Sequence, residues 1–163
     1  LDIRGRSRRR QIALAKKLVI ERAPQPAGGC RLTDANYAKR VKLLLRQGFL
    51  DTVEFDLLTA GRFFRLPGET RLIVGRFEGE NRYLDRRRPD YAVRLEPVSV
   101  VGPVALYFGP EDGEGFAIAL SIVARYSDAE YGEEVVISVR VGEGEEQQVR
   151  VRKEELDLNA YRV

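Results

Sequence analysis

One thiol stands alone in this chain, and its setting is the first place to look for chemistry. Cys30 follows two glycines in the run Pro26-Ala27-Gly28-Gly29-Cys30-Arg31-Leu32-Thr33-Asp34. Glycine carries no side chain, so a thiol behind two of them can approach another molecule closely. Arg31 and Arg22 would add positive charge, which favours the thiolate and draws in phosphates. Those are the needs of a nucleophile or a persulfide carrier. The opposing reading is an inert, small apolar side chain, and the sequence has no histidine to activate the sulfur.

Two groups of cations could hold phosphate. Arg4, Arg6, Arg8, Arg9 and Arg10 cluster near the start of the sequence, and Lys39, Lys42 and Arg46 line one face of a helical pattern. Each neutralised phosphate releases counterions, so such patches bind with strong salt dependence and little sequence reading. A second strip comes from Gly61-Arg62-Phe63-Phe64-Arg65-Leu66 followed by Val74-Gly75-Arg76. There Arg62, Phe63, Arg65 and Arg76 would sit on neighbouring strands, where aromatics beside arginines can stack on unpaired bases. Phe63 and Phe64 point to opposite faces, so on a one-sided sheet only one of them belongs to the core. Glu78, Glu80 and Asp85 read as a solvated helix face, because Arg82 and Arg86 stand at helical spacing to pair with them. The loop Gly109-Pro110-Glu111-Asp112-Gly113-Glu114-Gly115 carries three acids and would repel phosphate.

Charge is distributed unevenly around these residues. Residues 1–50 carry 13 Lys/Arg against 3 Asp/Glu, residues 51–110 balance at 9 each, and residues 111–163 carry 6 against 13. An anionic partner at the basic end is the expectation. With one cysteine and no histidine, a Cys/His zinc site and an internal disulfide are both excluded. A reducing, cytoplasmic setting is therefore expected. No apolar run approaches the ~20 residues of a membrane helix.

The elements that must position these groups follow from periodicity. A helix is expected from Ser7 to about Ile20, then a loop over 22–33 with two prolines and two glycines. Thr33 or Asp34 caps a second helix to about Gln47, stopped by Gly48, and a short helix covers about 52–59. Beyond Gly61 the period becomes that of strands: 62–66 and 71–76 around a turn, 91–95, 104–108, then 135–141 and 148–152 around Gly142-Glu143-Gly144-Glu145. Two further helices are expected, a polar one over 78–87 and an apolar one over 115–126 that serves as the central core element. The fold class is α+β: a helical N-terminal segment (1–60), then a mainly antiparallel sheet packed with a buried helix (61–163).

Two stretches also carry a family resemblance. Leu1-Asp2-Ile3-Arg4-Gly5-Arg6-Ser7-Arg8-Arg9-Arg10-Gln11 with the Gly-Gly-Cys run resembles the end of the catalytic region in bacterial thiouridine-synthase-like proteins. Those are ATP-dependent PP-loop enzymes related to tRNA 4-thiouridine synthase and tRNA 2-thiouridylase. Gly61–Leu66, Thr70–Arg76 and Glu80-Asn81 look like the NFACT-type RNA-binding domain, with Tyr126-Ser127 a weaker echo. The resemblance implies a module that binds tRNA or other structured RNA, belonging to a tRNA sulfurtransferase. It implies a preceding PP-loop domain that would bind ATP, a sulfur-donor protein as partner, and a sulfur-handling role for Cys30. The PP-loop motif Ser-Gly-Gly-x-Asp-Ser is absent, so no cofactor is expected within these residues. Two rival readings remain: a catalytic piece in which Cys30 carries sulfur, and a protein-interaction module that docks partners on the acidic surface at 111–157.

Overall fold

A computed structural model describes residues 9–18, 30–48 and 51–163. The chain divides into two units, Leu1–Thr33 and Asp34–Val163. In the first, helix α1 spans Arg9–Lys17 and a single 3-10 turn covers Arg31–Thr33.

The second unit opens where the Asp34 carboxylate accepts hydrogen bonds from the Asn36 and Tyr37 amides, each at 2.9 Å, and so starts helix α2 (Ala35–Arg46). Asp51 does the same for α3 (Thr52–Leu57), accepting from the Val53 amide. Strands β1 (Arg62–Arg65) and β2 (Arg71–Val74) follow, joined through a 3-10 turn at Pro67–Glu69. Then come α4 (Glu78–Arg87), β3 (Val93–Pro97), β4 (Ala105–Phe108) and α5 (Glu114–Arg125). β5 (Glu134–Val141) and β6 (Gln147–Arg152) complete the strands. The six strands form one sheet in the order β1-β2-β4-β3-β5-β6, and every pairing is antiparallel. The fold is α+β, as the periodicity indicated.

The sheet is covered on both faces, and this changes the reading of the aromatic strip. Phe64, Leu72, Val74 and Leu95 share one cluster with Phe116, Ala119 and Val123 of α5. Phe63, Ile73 and Leu106 share the other with Leu44 of α2, Leu57 of α3 and Leu84 of α4. Phe63 and Phe64 are therefore 1% and 0% exposed, so both rings are core. Burying such a ring stabilises the fold by about 1.5–3 kcal/mol. A stacked base returns about 1–3 kcal/mol, so turning Phe63 outward gains nothing. The Phe63 ring therefore offers no surface to a base, contrary to the stacking role expected for it. The shared core also places α2 and α3 with the sheet, within the unit Asp34–Val163.

Two features tie the helical layer and the last residues to the strands. Arg71 on β2 donates two hydrogen bonds to the Glu54 carboxylate of α3, at 2.8 and 3.1 Å, and one to Gln47 at 3.1 Å. Both charged side chains are almost wholly buried. At the chain's far end, the Arg65 amide donates to Tyr161 (2.8 Å) and the Val163 amide to Phe63 (3.1 Å). Arg162 thereby bridges to Phe64, and the segment covers the outer edge of β1.

Candidate nucleic-acid interface

Two close backbone approaches build the site. Gly61 has φ +71°, and a Cβ there would lie 2.6 Å from the Val74 carbonyl oxygen. A Cβ on Gly75 would lie 2.0 Å from Asn81 Oδ1. Glycine at 61 lets the start of β1 close up on the end of β2, and glycine at 75 leaves room for the Asn81 amide of α4. Each glycine is followed directly by an arginine, and Arg62 pairs with Val74 across the ladder. Arg62 and Arg76 are thus brought to one end of the sheet. The C-terminal segment adds Arg162 and Asn159, and α2 adds Arg40 and Asn36, all lining one open cleft.

Three of the four guanidinium groups are held, each in its own way. Arg62 lies with its guanidinium carbon 4.4 Å from the centre of the Tyr126 ring and donates to the Gly75 carbonyl at 3.3 Å. Arg40 is half-buried, donating to the carbonyls of Leu58 (2.8 Å) and Gly61 (3.2 Å). Burial, and after it the charges of Arg76 and Arg162, push the Arg40 guanidinium below its ordinary value. Arg76 is clamped by Glu80, which accepts from its Nε at 3.0 Å and from its backbone amide at 2.9 Å. The bond from Arg76 holds the Glu80 carboxyl below the usual carboxylate range. Among the described residues, no carboxylate forms an ion pair with Arg40, Arg62 or Arg162. Four cations stand against one buried carboxylate, and that excess of forked donors suits phosphate oxygens.

A second cleft adjoins the first and shares Arg62 and Arg76 with it. Its other lining includes Phe77, Asn81, Val101, Gly102, Tyr126 and Asp128. Phe77 is 61% exposed although it is a large apolar side chain.

The other candidates are dispersed. Arg65 is exposed at the opposite end of β1 and pairs with Glu69 at 3.6 Å, so it does not join Arg62 and Arg76. Lys39, Lys42 and Arg46 are exposed on α2, beside Leu45. Cys30 is exposed in the first unit, where its carbonyl accepts from the Thr33 amide and hydroxyl, each at 2.8 Å. Arg9 and Arg10 open α1. Arg4, Arg6 and Arg8 lie outside the described residues. On α4 only Arg82 takes a same-helix acid, Glu78, at 3.0 Å. Glu80 turns instead to Arg76, and Asp85 accepts from Arg94 at 2.6 Å. Among the described residues no group of three or more Cys, Asp or Glu could hold a metal ion, and no helix is long and apolar enough to cross a membrane.

Sequence reasoning missed Arg40, Arg162, Phe77 and Tyr126 as site residues. Arg40 had a signal, since it stands among Tyr37, Val41 and Leu44 on the buried side of α2. Arg162 had none, because its place depends on a pairing with a strand about a hundred residues earlier.

A family model described as NFACT protein RNA binding domain matches residues 61–162. The fold is similar to the C-terminal part of the fibronectin/fibrinogen-binding protein from Streptococcus suis, with a TM-score of 0.54 and 13% identity. That likeness covers 94% of this chain and 74% of the other, and it shows the fold alone. No curated protein matches the sequence.

Proposed function

The chain belongs to the family of NFACT protein RNA binding domains, and from that premise we propose that it holds RNA by its phosphates in the cleft of Arg40, Arg62, Arg76 and Arg162. The observation that carries the reading is the convergence of three guanidinium groups without carboxylate partners on one open cleft. Carbonyl bonds hold Arg40 and Arg62, so those two lose little side-chain freedom on binding. Lys39, Lys42 and Arg46 extend the positive surface along α2 and draw RNA toward the cleft at long range.

The RNA in this reading is tRNA, and the parent protein a thiouridine-forming sulfurtransferase whose PP-loop domain binds ATP. The resemblance of residues 1–11 and 26–34 to such enzymes supports it. The test is fluorescence anisotropy of the whole chain with tRNA and with an unstructured RNA, over a range of salt. Micromolar or tighter binding that weakens steeply with salt is expected. No binding at low salt would overturn the reading.

A second reading gives Cys30 the role of sulfur carrier, and its exposure is the observation that favours it. The rate of Cys30 alkylation against pH separates the two. Half-maximal reactivity near the ordinary thiol value of about 8.5 leaves no activated thiolate and overturns the carrier role.

A further inference from the structure

Several features of the second unit invite a further role. Lys153 is buried, but its ammonium donates to the Ser127 and Ala129 carbonyls, which accounts for it as a structural cation. The acidic turns at 111–114 and 143–146 have nothing beside them that indicates a ligand. The cleft next to the arginines is different. We infer that it receives an unpaired nucleobase, so that the RNA bound here is single-stranded at this point; this rests on the RNA-binding reading above.

The first support is placement. Arg62 and Arg76 line both clefts. A phosphate held by that pair has its own nucleoside beside the second cleft. The second support is the aromatic surface. Phe77 directly follows Arg76, is exposed, and makes no aromatic pair among the described residues. Its ring is nonetheless seated: a Cβ on Gly79 would lie 3.1 Å from Phe77 Cε2. Gly79 is the second residue of α4, and its bare backbone leaves room for the ring. Across the cleft, the planar guanidinium of Arg62 already stacks on Tyr126 and offers a flat cationic surface.

The third support is the change in polarity between the clefts. Asp128 lines the second cleft but not the first. A carboxylate there repels phosphate and accepts hydrogen bonds from the N–H groups of a base edge. Asn81 accepts from the Val104 amide through Oδ1 at 3.2 Å, which fixes its amide and leaves an NH₂ donor. One cleft is therefore suited to phosphate and the next to a base. A duplex, whose bases are stacked inside, cannot use the second.

The test measures binding of the whole chain to a mixed-sequence single-stranded RNA and to the same RNA annealed to its complement. Stacking is lost in Phe77→Ala, so single-strand affinity should fall about 5- to 150-fold, with duplex affinity and the salt slope unchanged. Phe77→Tyr should restore binding. A 2-aminopurine in the single strand should be quenched by the parent and not by Phe77→Ala, which reads stacking directly. Equal affinity for the two RNAs with no effect of Phe77→Ala would overturn the base cleft and leave the phosphate cleft standing. Loss of all RNA binding in the parent would overturn both.

Discussion

Neutralising Arg62 and Arg162, two arginines of the cleft, gives the most quantitative prediction. Arg62 and Arg162 have no carboxylate partner among the described residues, and neither is part of the core. Arg62→Gln/Arg162→Gln therefore removes two phosphate contacts while keeping aliphatic stems of similar length. With one phosphate per guanidinium, four contacts give a slope of log K against log salt of about −2.8 on single-stranded RNA. Raising salt from about 50 to about 200 mM then weakens the parent about 50-fold. The double variant keeps two contacts, so its slope is about −1.4 and the same change in salt weakens it about 7-fold. Anisotropy titrations at four salt concentrations, with circular dichroism to confirm folding, measure both quantities. A folded double variant with the parent's slope would refute the reasoning, because those guanidinium groups would then displace no counterions.

Other expectations concern what holds the cleft in place. Arg71→Met strands the buried Glu54 carboxylate, so denaturant unfolding should show a loss of about 3–5 kcal/mol. Glu54→Leu/Arg71→Met should recover most of it, since no buried charge is left. Gly61→Ala forces a Cβ against a backbone carbonyl at positive φ and should cost about 1–3 kcal/mol or more, read as a lower melting temperature. Glu80 has a depressed pKa in the folded state, chiefly through its bond from Arg76. Its contribution to stability is therefore full above the unfolded value of 4.5 and is lost as pH falls through the lower folded value. Glu80→Gln should flatten the acid side of the stability–pH curve, and an unchanged curve would contradict that assignment.

Much of this was legible because local rules agreed with the fold. Asp34 and Asp51 cap the helices that follow them, and the polar helix lies at Glu78–Arg87, where the pattern put it. Gly48 takes the positive φ expected of a helix stop. What the sequence concealed was the second layer. Nothing in Phe63-Phe64 says that helices cover both faces of the strand, and that alone decides whether a ring is core or contact surface. The site was half visible for the same reason. Arg62 and Arg76 share local glycine signals, whereas Arg40 and Arg162 arrive from a helix and a C-terminal segment through non-local packing. Phe77 was passed over because exposure, not residue type, sets it apart.

Backbone amide NMR of the chain during titration with a single-stranded RNA shows whether RNA seats on the arginine cleft. The largest shifts should fall on Gly61, Arg62, Gly75, Arg76, Phe77 and Arg162, with β6 unaffected. Shifts confined to α1 or to Lys39, Lys42 and Arg46 of α2, with the strand ends silent, would contradict it.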